Sequence, residues 1–341
     1  MKRDSRFELL RILSMFLIIL FHFEYFGEAW RMDKANSLLN QIILSSYLPF
    51  GKIGVYLFVM ITGYFVGTKG YRIKKSLSKA FIIWGETIFY SILLFLVIVL
   101  FGLMSFSFKN FIAVCLPFIT NQYWFVSAYI MLLILIPFIN LAVKQLTKKQ
   151  LIYLIIVVSF FGCFLTSINN STFSSEISFG YIIPPYLIGT FIKKYGIQIK
   201  NIKLKIITLY LVTVLLTALI SYFGYGRYRN FFSFGVLELL IATLLFSGLT
   251  NFQTFHNNWI NVIARTVFAS YLITDNLYLK AVIWNTLLFH NASISPFYMD
   301  IIGFGVAAGL LIGSSMIDLL RERLFSLLKV TILDKFPKFQ E

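Results

Sequence analysis

The chain has 341 residues, of which 59% are hydrophobic and only 13% charged. Soluble globular domains carry roughly 25% charged residues, so the composition excludes an ordinary soluble protein and points to the bilayer. The net charge of +16 does not mark a nucleic-acid binder, because the basic residues cluster in short loops between apolar runs.

Spanning a hydrocarbon core takes about 20 mostly apolar residues per helix. Closed barrels are the other permitted solution, but their signal is alternation of apolar and polar residues. Here the runs are continuous, as in "YSILLFLVIVLFGL", and the helical reading wins. Ten apolar segments follow one another, near 7–26, 48–67, 80–104, 123–143, 151–168, 178–192, 206–224, 232–250, 262–283 and 298–320. The first has a basic start but no convincing small-residue cleavage site after it, and reads as an uncleaved first helix. Segment 106–122 is short and interrupted by Pro117, so it reads as a loop or a half-inserted stretch. Pro184 and Pro185 fall inside the sixth segment. Each removes a backbone donor, which predicts a kink or break there. Cys115 and Cys163 lack metal or disulfide spacing and read as packed or idle thiols.

Lysine and arginine bias sets orientation. With the N-terminus inside, one set of loops carries Lys2, Arg3, Arg6, Lys69, Arg72, Lys74, Lys75, Lys79, Lys144, Lys148, Lys149, Lys193, Lys194, Lys200, Lys203 and Lys205. The same set ends with Arg321, Arg323, Lys329, Lys335 and Lys338. The opposite loops hold Arg31, Lys34, Lys109, Arg227 and Arg229, while loop 251–261 is neutral. The expected architecture is an all-α integral membrane protein, a bundle of about ten transmembrane helices with both termini cytoplasmic. Residues 1–341 form one transmembrane domain, with no separate soluble domain.

The first segment, "ELLRILSMFLIILFHF", holds Glu8, Arg11 and His22. Helical residues advance by about 100° and 1.5 Å, so Arg11 and His22 lie about 20° apart on one face and about 16 Å apart along the axis. Glu8 is three residues from Arg11 and close enough to pair with it. Ser14 and Tyr25 fall on the same side, and Glu24 points away from it. A central Arg costs roughly 2.5–3.5 kcal/mol on insertion scales, so this stripe is expected to face the bundle interior or a wet cavity. An imidazole there can take a proton from a hydroxyl. A packing His and a structural ion pair are the bland alternatives. Glu86 and Glu238 are also costly in lipid and should face inward, for a site role or for a structural hydrogen bond. Asp275 can pair with Lys280 on its own helix or with Arg265. Tyr123 and Trp124 sit at a segment edge, where an aromatic belt and substrate stacking are both open readings. His256 and His290 fall in or near loops and read as solvated.

These residues resemble those of the acyltransferase-3 family of membrane acyltransferases. The family signature of an Arg, ten residues and a His in the first span is matched by Arg11 through His22. "GVYLFVMITGYFVG" at 54–67 is similar to the Gly-Val-x-Leu-Phe-x-x-x-Ser-Gly-Tyr pattern, with Thr62 in the serine position. "YWFVSAYIMLLILIPFIN" at 123–140 and "FASYLITDNLYLKAVIW" at 268–284 resemble blocks of members that modify surface polysaccharides. Two departures stand out. Many relatives have paired arginines at the start of the third span, where this chain has Arg72 and Lys75, with Lys79 further on. The late block often ends in His where this chain has Thr274.

The resemblance implies transfer of an acyl group, commonly acetyl, from cytoplasmic acyl-coenzyme A to a hydroxyl of an envelope polysaccharide or lipid-linked saccharide. It implies His22 as the catalytic residue, with Arg11 on the donor or support side. Phosphates of the donor would meet Arg72, Lys75 and Lys79, since Arg and Lys give charge-assisted bonds to phosphate. Glu8, Glu86 and Asp275 would support the site, and Trp124 would meet the acceptor. No metal, no permanently bound cofactor and no nucleic acid are expected. The expected location is the cell membrane, a bacterial plasma membrane. The rival reading is a transporter or flippase of lipid-linked saccharides, which a polar interior and a broken helix also fit.

Overall fold

The computed structural model describes residues 3–28, 37–70, 73–120, 122–165, 179–224, 235–287 and 295–327. Lys2, Arg31, Lys34, Arg72, Arg227, Arg229, His290, Lys329, Lys335 and Lys338 lie outside the described residues. No strand occurs among the described residues. The helices are α1 (Ser5–His22), α2 (Leu38–Leu44), α3 (Phe50–Val66), α4 (Ile73–Leu100), α5 (Phe108–Cys115), α6 (Trp124–Gln145) and α7 (Lys148–Ser159). They continue with α8 (Ile183–Tyr195), α9 (Ile202–Tyr222), α10 (Val236–Thr250), α11 (Asn258–Thr274), α12 (Leu279–Ala281) and α13 (Pro296–Leu327). A helix overlaps each of the ten apolar segments. Six helical stretches are long and apolar enough to cross a membrane: 5–27, 73–100, 124–145, 148–165, 202–222 and 296–327. The helices 50–66 and 236–250 are apolar but shorter.

The bundle is built around α1, which packs against α3, α11 and α13. Its Leu10, Met15, Ile18 and Ile19 are buried, whereas Leu9 and Leu13 are exposed. Elsewhere the exposed faces are rows of large apolar side chains. Leu204, Ile207, Leu211 and Leu215 on α9, and Ile301, Phe304, Ile312 and Met316 on α13, face outward at helical spacing. Apolar residues outside and polar residues inside are what a lipid solvent selects.

Side-chain caps begin several helices. Asp4 accepts from the Arg6 N–H at 3.1 Å, Thr147 and Gln150 form a capping box at the start of α7, and Asn257 accepts from two N–H groups of α11. One end of the bundle is tied by contacts between helix ends. The Arg6 guanidinium donates to Thr250 O and Phe252 O, and the Ser5 hydroxyl donates to Asn261. Lys69, Lys75, Lys144 and Lys194 lie at this same end, called here the basic end.

Two expectations are corrected. Pro184 and Pro185 occupy the first turn of α8, where the N–H groups have no helical partner anyway. They start the helix rather than kink it. The break falls instead in the late segment. There α11 ends at Thr274, and the chain turns through Asp275 to Tyr278 before α12. Asn276, fully buried, repairs that break by accepting from the Tyr278 and Leu279 N–H groups at 3.1 Å each. The third segment also starts earlier than expected, at Ile73, which moves Lys75 and Lys79 from a loop onto a helix.

Helices α3 and α8 meet backbone to backbone. A Cβ on Gly189 would overlap the Met60 carbonyl, and one on Gly63 would overlap the Tyr186 carbonyl. Thr190 then reaches Gly63 O at 3.2 Å. Small residues permit this approach, and lipid itself supplies no hydrophobic force between the helices. Gly189→Val is expected to force the pair apart at a cost of roughly 1–3 kcal/mol, read as a lower melting temperature in detergent. Gly85→Ala, on α4 with open space around it, is expected to melt like the parent.

Candidate functional site

The polar stripe of α1 faces inward along its whole length. Glu8, Ser14 and His22 are buried. Arg11 pairs with Glu8 at 2.9 and 3.0 Å, and the Ser14 hydroxyl donates to Leu10 O at 2.7 Å. Glu24, off the stripe, is also buried. It accepts the Tyr47 N–H at 2.8 Å.

At the basic end a cavity of about 280 Å³ opens between α1, α3, α4 and α6. Arg3, Arg11, Lys69, Lys75 and Lys79 line it, with Ser76, Thr62 and Asn140, and no carboxylate is among its lining residues. Three residues singled out from the sequence, Arg11, Lys75 and Lys79, are therefore brought to one space. A second hollow of about 480 Å³ shares Lys69, Gly70 and Asn140 with it and adds Lys144, Thr190 and Lys194. Asn140 holds the ridge between them. Its amide donates to Val66 O at 2.8 Å and Lys69 O at 3.2 Å, and its carbonyl accepts from Tyr186 Oη at 2.6 Å.

At the far end of α1, His22 is buried to 4% exposure inside a group of rings. Phe26 lies 5.2 Å from it, Trp284 6.3 Å and Tyr271 6.4 Å, centroid to centroid. The chain passes into a π-helical turn, Phe23–Glu28, directly after His22. Two more such turns are Phe160–Leu165 and Val282–Leu287, and the last carries Trp284. Single π turns occur often at functional sites. The floor of the basic cavity and this cluster are joined by side chains in contact. Thr62 Oγ1 and Tyr129 Oη are 2.8 Å apart, Tyr129 stacks on Phe125 at 5.6 Å, and Phe125 meets Tyr271 edge-on at 5.7 Å.

The remaining sequence candidates separate. Asp275 is buried beside the Tyr271 hydroxyl, and the charge of Lys280 acts on both Asp275 and His22. Arg265 pairs with Glu322 at 3.5 Å rather than with Asp275. Glu86 pairs with Arg321 at 3.3 Å; Arg321 also donates to Asp318 at 2.6 Å, as does the Tyr90 hydroxyl. That network joins α4 to α13, and Glu86 is not among the residues lining the Arg11 cavity. His256 is exposed as expected. No group of three metal-binding side chains occurs among the described residues.

Trp124 has a partner that its place at a segment edge did not reveal. The Lys52 ammonium lies between two ring faces, 4.1 Å from Trp124 and 3.8 Å from Tyr181. Lys52 is buried, and the fully buried Glu238 and Cys163 lie within its electrostatic reach. Tyr56 donates to the Cys163 sulfur at 3.5 Å, and Glu238 accepts the Gly235 N–H at 2.7 Å. A lone cation inside the apolar run 48–67 was the available signal for Lys52. Tyr271 and Trp284 carried none, because an aromatic in an apolar helix is ordinary packing.

Inward-facing charge, outward-facing apolar rows and long apolar helices together define a multi-pass helical membrane protein with a polar interior at both ends of its first helix. The family model described as "Acyltransferase domain" (Acyl_transf_3) matches residues 4–317. The chain belongs to this acyltransferase-3 family and is a membrane acyltransferase. No curated protein and no solved structure matches it.

The Lys52–Glu238 region lends itself to a double-mutant cycle. Lys52→Met alone removes the cation held between Trp124 and Tyr181 and within electrostatic reach of buried Glu238, and is expected to lower the melting temperature. Adding Glu238→Gln is expected to recover part of that loss, with a coupling of about 0.5–3 kcal/mol.

Proposed function

We propose that the protein moves an acyl group, with acetyl the expected one, from acyl-coenzyme A to a hydroxyl of a cell-envelope polysaccharide or lipid-linked saccharide. The observation that carries this reading is the convergence of Arg11, Lys75 and Lys79 on one cavity, on the helix whose other end holds His22. A donor with an anionic head and a long uncharged arm bearing the thioester suits a basic cavity set about 16 Å from an imidazole along α1. Phosphates would take charge-assisted bonds from the lysines and Arg11, and Arg72 would join them. Lysine is a point charge and lacks the guanidinium fork, so Lys75 would attract phosphate without fixing its plane. The second hollow, with Lys144 and Lys194, would extend the same field. The excess of basic residues at this end matches the cytoplasmic side, where acyl-coenzyme A is found.

His22 is the general base of this proposal. It would take the proton of the acceptor hydroxyl as that oxygen attacks the thioester carbonyl. Tyr129, Phe125 and Tyr271 stand in the interval between cavity floor and imidazole. Trp124, with its ring 5.9 Å from that of Phe125, would meet the acceptor; Glu8 would hold Arg11 toward the donor, and Asp275 would support the His22 end.

Purified protein given labelled acetyl-coenzyme A and an envelope saccharide fraction freed of esters is expected to form labelled ester. His22→Ala should abolish it while leaving insertion and melting intact; unchanged transfer by that variant would overturn the role of His22. A carrier of lipid-linked saccharides would form no ester at all. Lys75→Ala with Lys79→Ala is expected to raise KM for acetyl-coenzyme A about tenfold or more, since one hydrogen bond to a charged group is worth about 1.5–3 kcal/mol. The KM for acetyl-pantetheine, which lacks the nucleotide phosphates, should hardly move.

A further inference from the structure

Two buried polar atoms in the His22 cluster lack a hydrogen bond, His22 Nδ1 and Tyr271 Oη. Two of the polar groups around them are committed elsewhere. Trp284 Nε1–H donates to Thr274 O at 3.0 Å, and the Tyr123 hydroxyl donates to Leu272 O at 3.1 Å while accepting from Asn276 at 2.7 Å. The Asp275 carboxylate and the Phe125 backbone N–H stand beside the Tyr271 hydroxyl, neither in a hydrogen bond of ordinary geometry. Tyr271 is 3% exposed, and its ring is held in place by Phe125 at 5.7 Å and Tyr123 at 6.1 Å. A buried hydroxyl left unpaired is costly and calls for an explanation, of which a catalytic role is one. Rigid support on both sides and a buried hydroxyl without an ordinary hydrogen bond, on a ring 6.4 Å from the imidazole, are the features of a group that can take a ligand atom.

We propose that the Tyr271 hydroxyl donates a hydrogen bond to the acyl carbonyl oxygen during transfer at His22, an assignment that rests on the acyl transfer proposed above. The acceptor oxygen bonds to the thioester carbonyl carbon as its proton passes to the imidazole. The electron pair of the carbonyl moves onto its oxygen, which becomes the oxyanion held by Tyr271. Collapse restores the carbonyl, breaks the carbon–sulfur bond and releases the thiolate, which takes the proton back from the imidazolium. The products are an ester and free coenzyme A, and no other reagent is consumed. A donor fixed in advance in a dry site needs no reorganisation as charge develops on the oxygen, and such donors act most strongly in low dielectric.

The test uses the full-length protein in detergent, with acetyl-coenzyme A and the ester-free saccharide fraction. Tyr271→Phe keeps the ring and removes only the hydroxyl. It is expected to lower kcat by about 100- to 1000-fold, the range seen when one oxyanion donor is removed, with KM for acetyl-coenzyme A and the midpoint of the pH–rate profile unchanged. A rate within threefold of the parent would overturn the assignment. So would a loss accompanied by a shifted midpoint, which would make Tyr271 a partner of the imidazole instead. Should Tyr271→Phe fail to fold, 3,5-difluorotyrosine at position 271, assayed below neutral pH, keeps both ring and hydroxyl and is a stronger donor. Its kcat is expected to hold or rise, and a fall would overturn the proposal. A Tyr271→Phe protein as fast as the parent beside a dead His22→Ala protein counts against Tyr271 alone. An inactive parent counts against acyl transfer, and with it against this assignment.

Discussion

A polar side chain inside a helical membrane bundle has no water to fall back on, so it must find its partner within the protein or within a ligand. The first helix is organised by this constraint. Glu8 answers Arg11, and Ser14 answers its own backbone carbonyl. His22, at the far end, leaves Nδ1 unanswered. The helices around α1 follow from the need to enclose these groups. α3 approaches on one side and α11 and α13 on the others, so that the stripe faces protein while Leu9 and Leu13 face outward.

The same demand is met in two other ways elsewhere. Between α4 and α13, Glu86, Arg321, Asp318 and Tyr90 form a linked set of ion pairs and hydrogen bonds, a structural clamp. Around Lys52, the faces of Trp124 and Tyr181 receive the ammonium, with Glu238 at electrostatic range. Ring quadrupoles attract an ammonium more strongly once it is desolvated, which suits the buried position of Lys52. Residues 123–125 at the start of α6 stand between this cage and the His22 cluster. Tyr123 turns toward Asn276, Trp124 toward Lys52 and Phe125 toward Tyr271.

Much of the fold was legible in the sequence because hydrophobic runs of membrane length leave few alternatives. The Arg11–His22 stripe was legible too, since eleven residues bring an α-helix nearly back to the same face. The gathering of Lys75 and Lys79 with Arg11 was visible only as basic charge near the third segment, because which lysines line a cavity depends on where α4 begins. The doubled proline misled for a physical reason. Proline disfavours a helix interior and favours a first turn, and the apolar run around Pro184 did not say which of the two it occupied. Glu86 left two readings open, because a half-buried carboxylate looks the same in a sequence whether it serves a reaction or an arginine 235 positions away. The link from Thr62 through Tyr129, Phe125 and Tyr271 to His22 joins four helices, and no spacing within one helix encodes it.

The three π turns have a consequence for chain length. Such a turn fits one more residue into roughly the same rise than an α turn does, so each is in effect an insertion that the helix has absorbed. Deleting one residue from Phe23–Glu28 or from Val282–Leu287 would return the turn to α pitch and re-aim the residues inside it by up to about 100°, so that the rings of Phe26 or Trp284 would no longer address the imidazole. A substitution at these places alters one side chain, but a deletion re-indexes every residue of the turn. Length in these two windows is therefore as much a part of the site's specification as the identity of any residue in it.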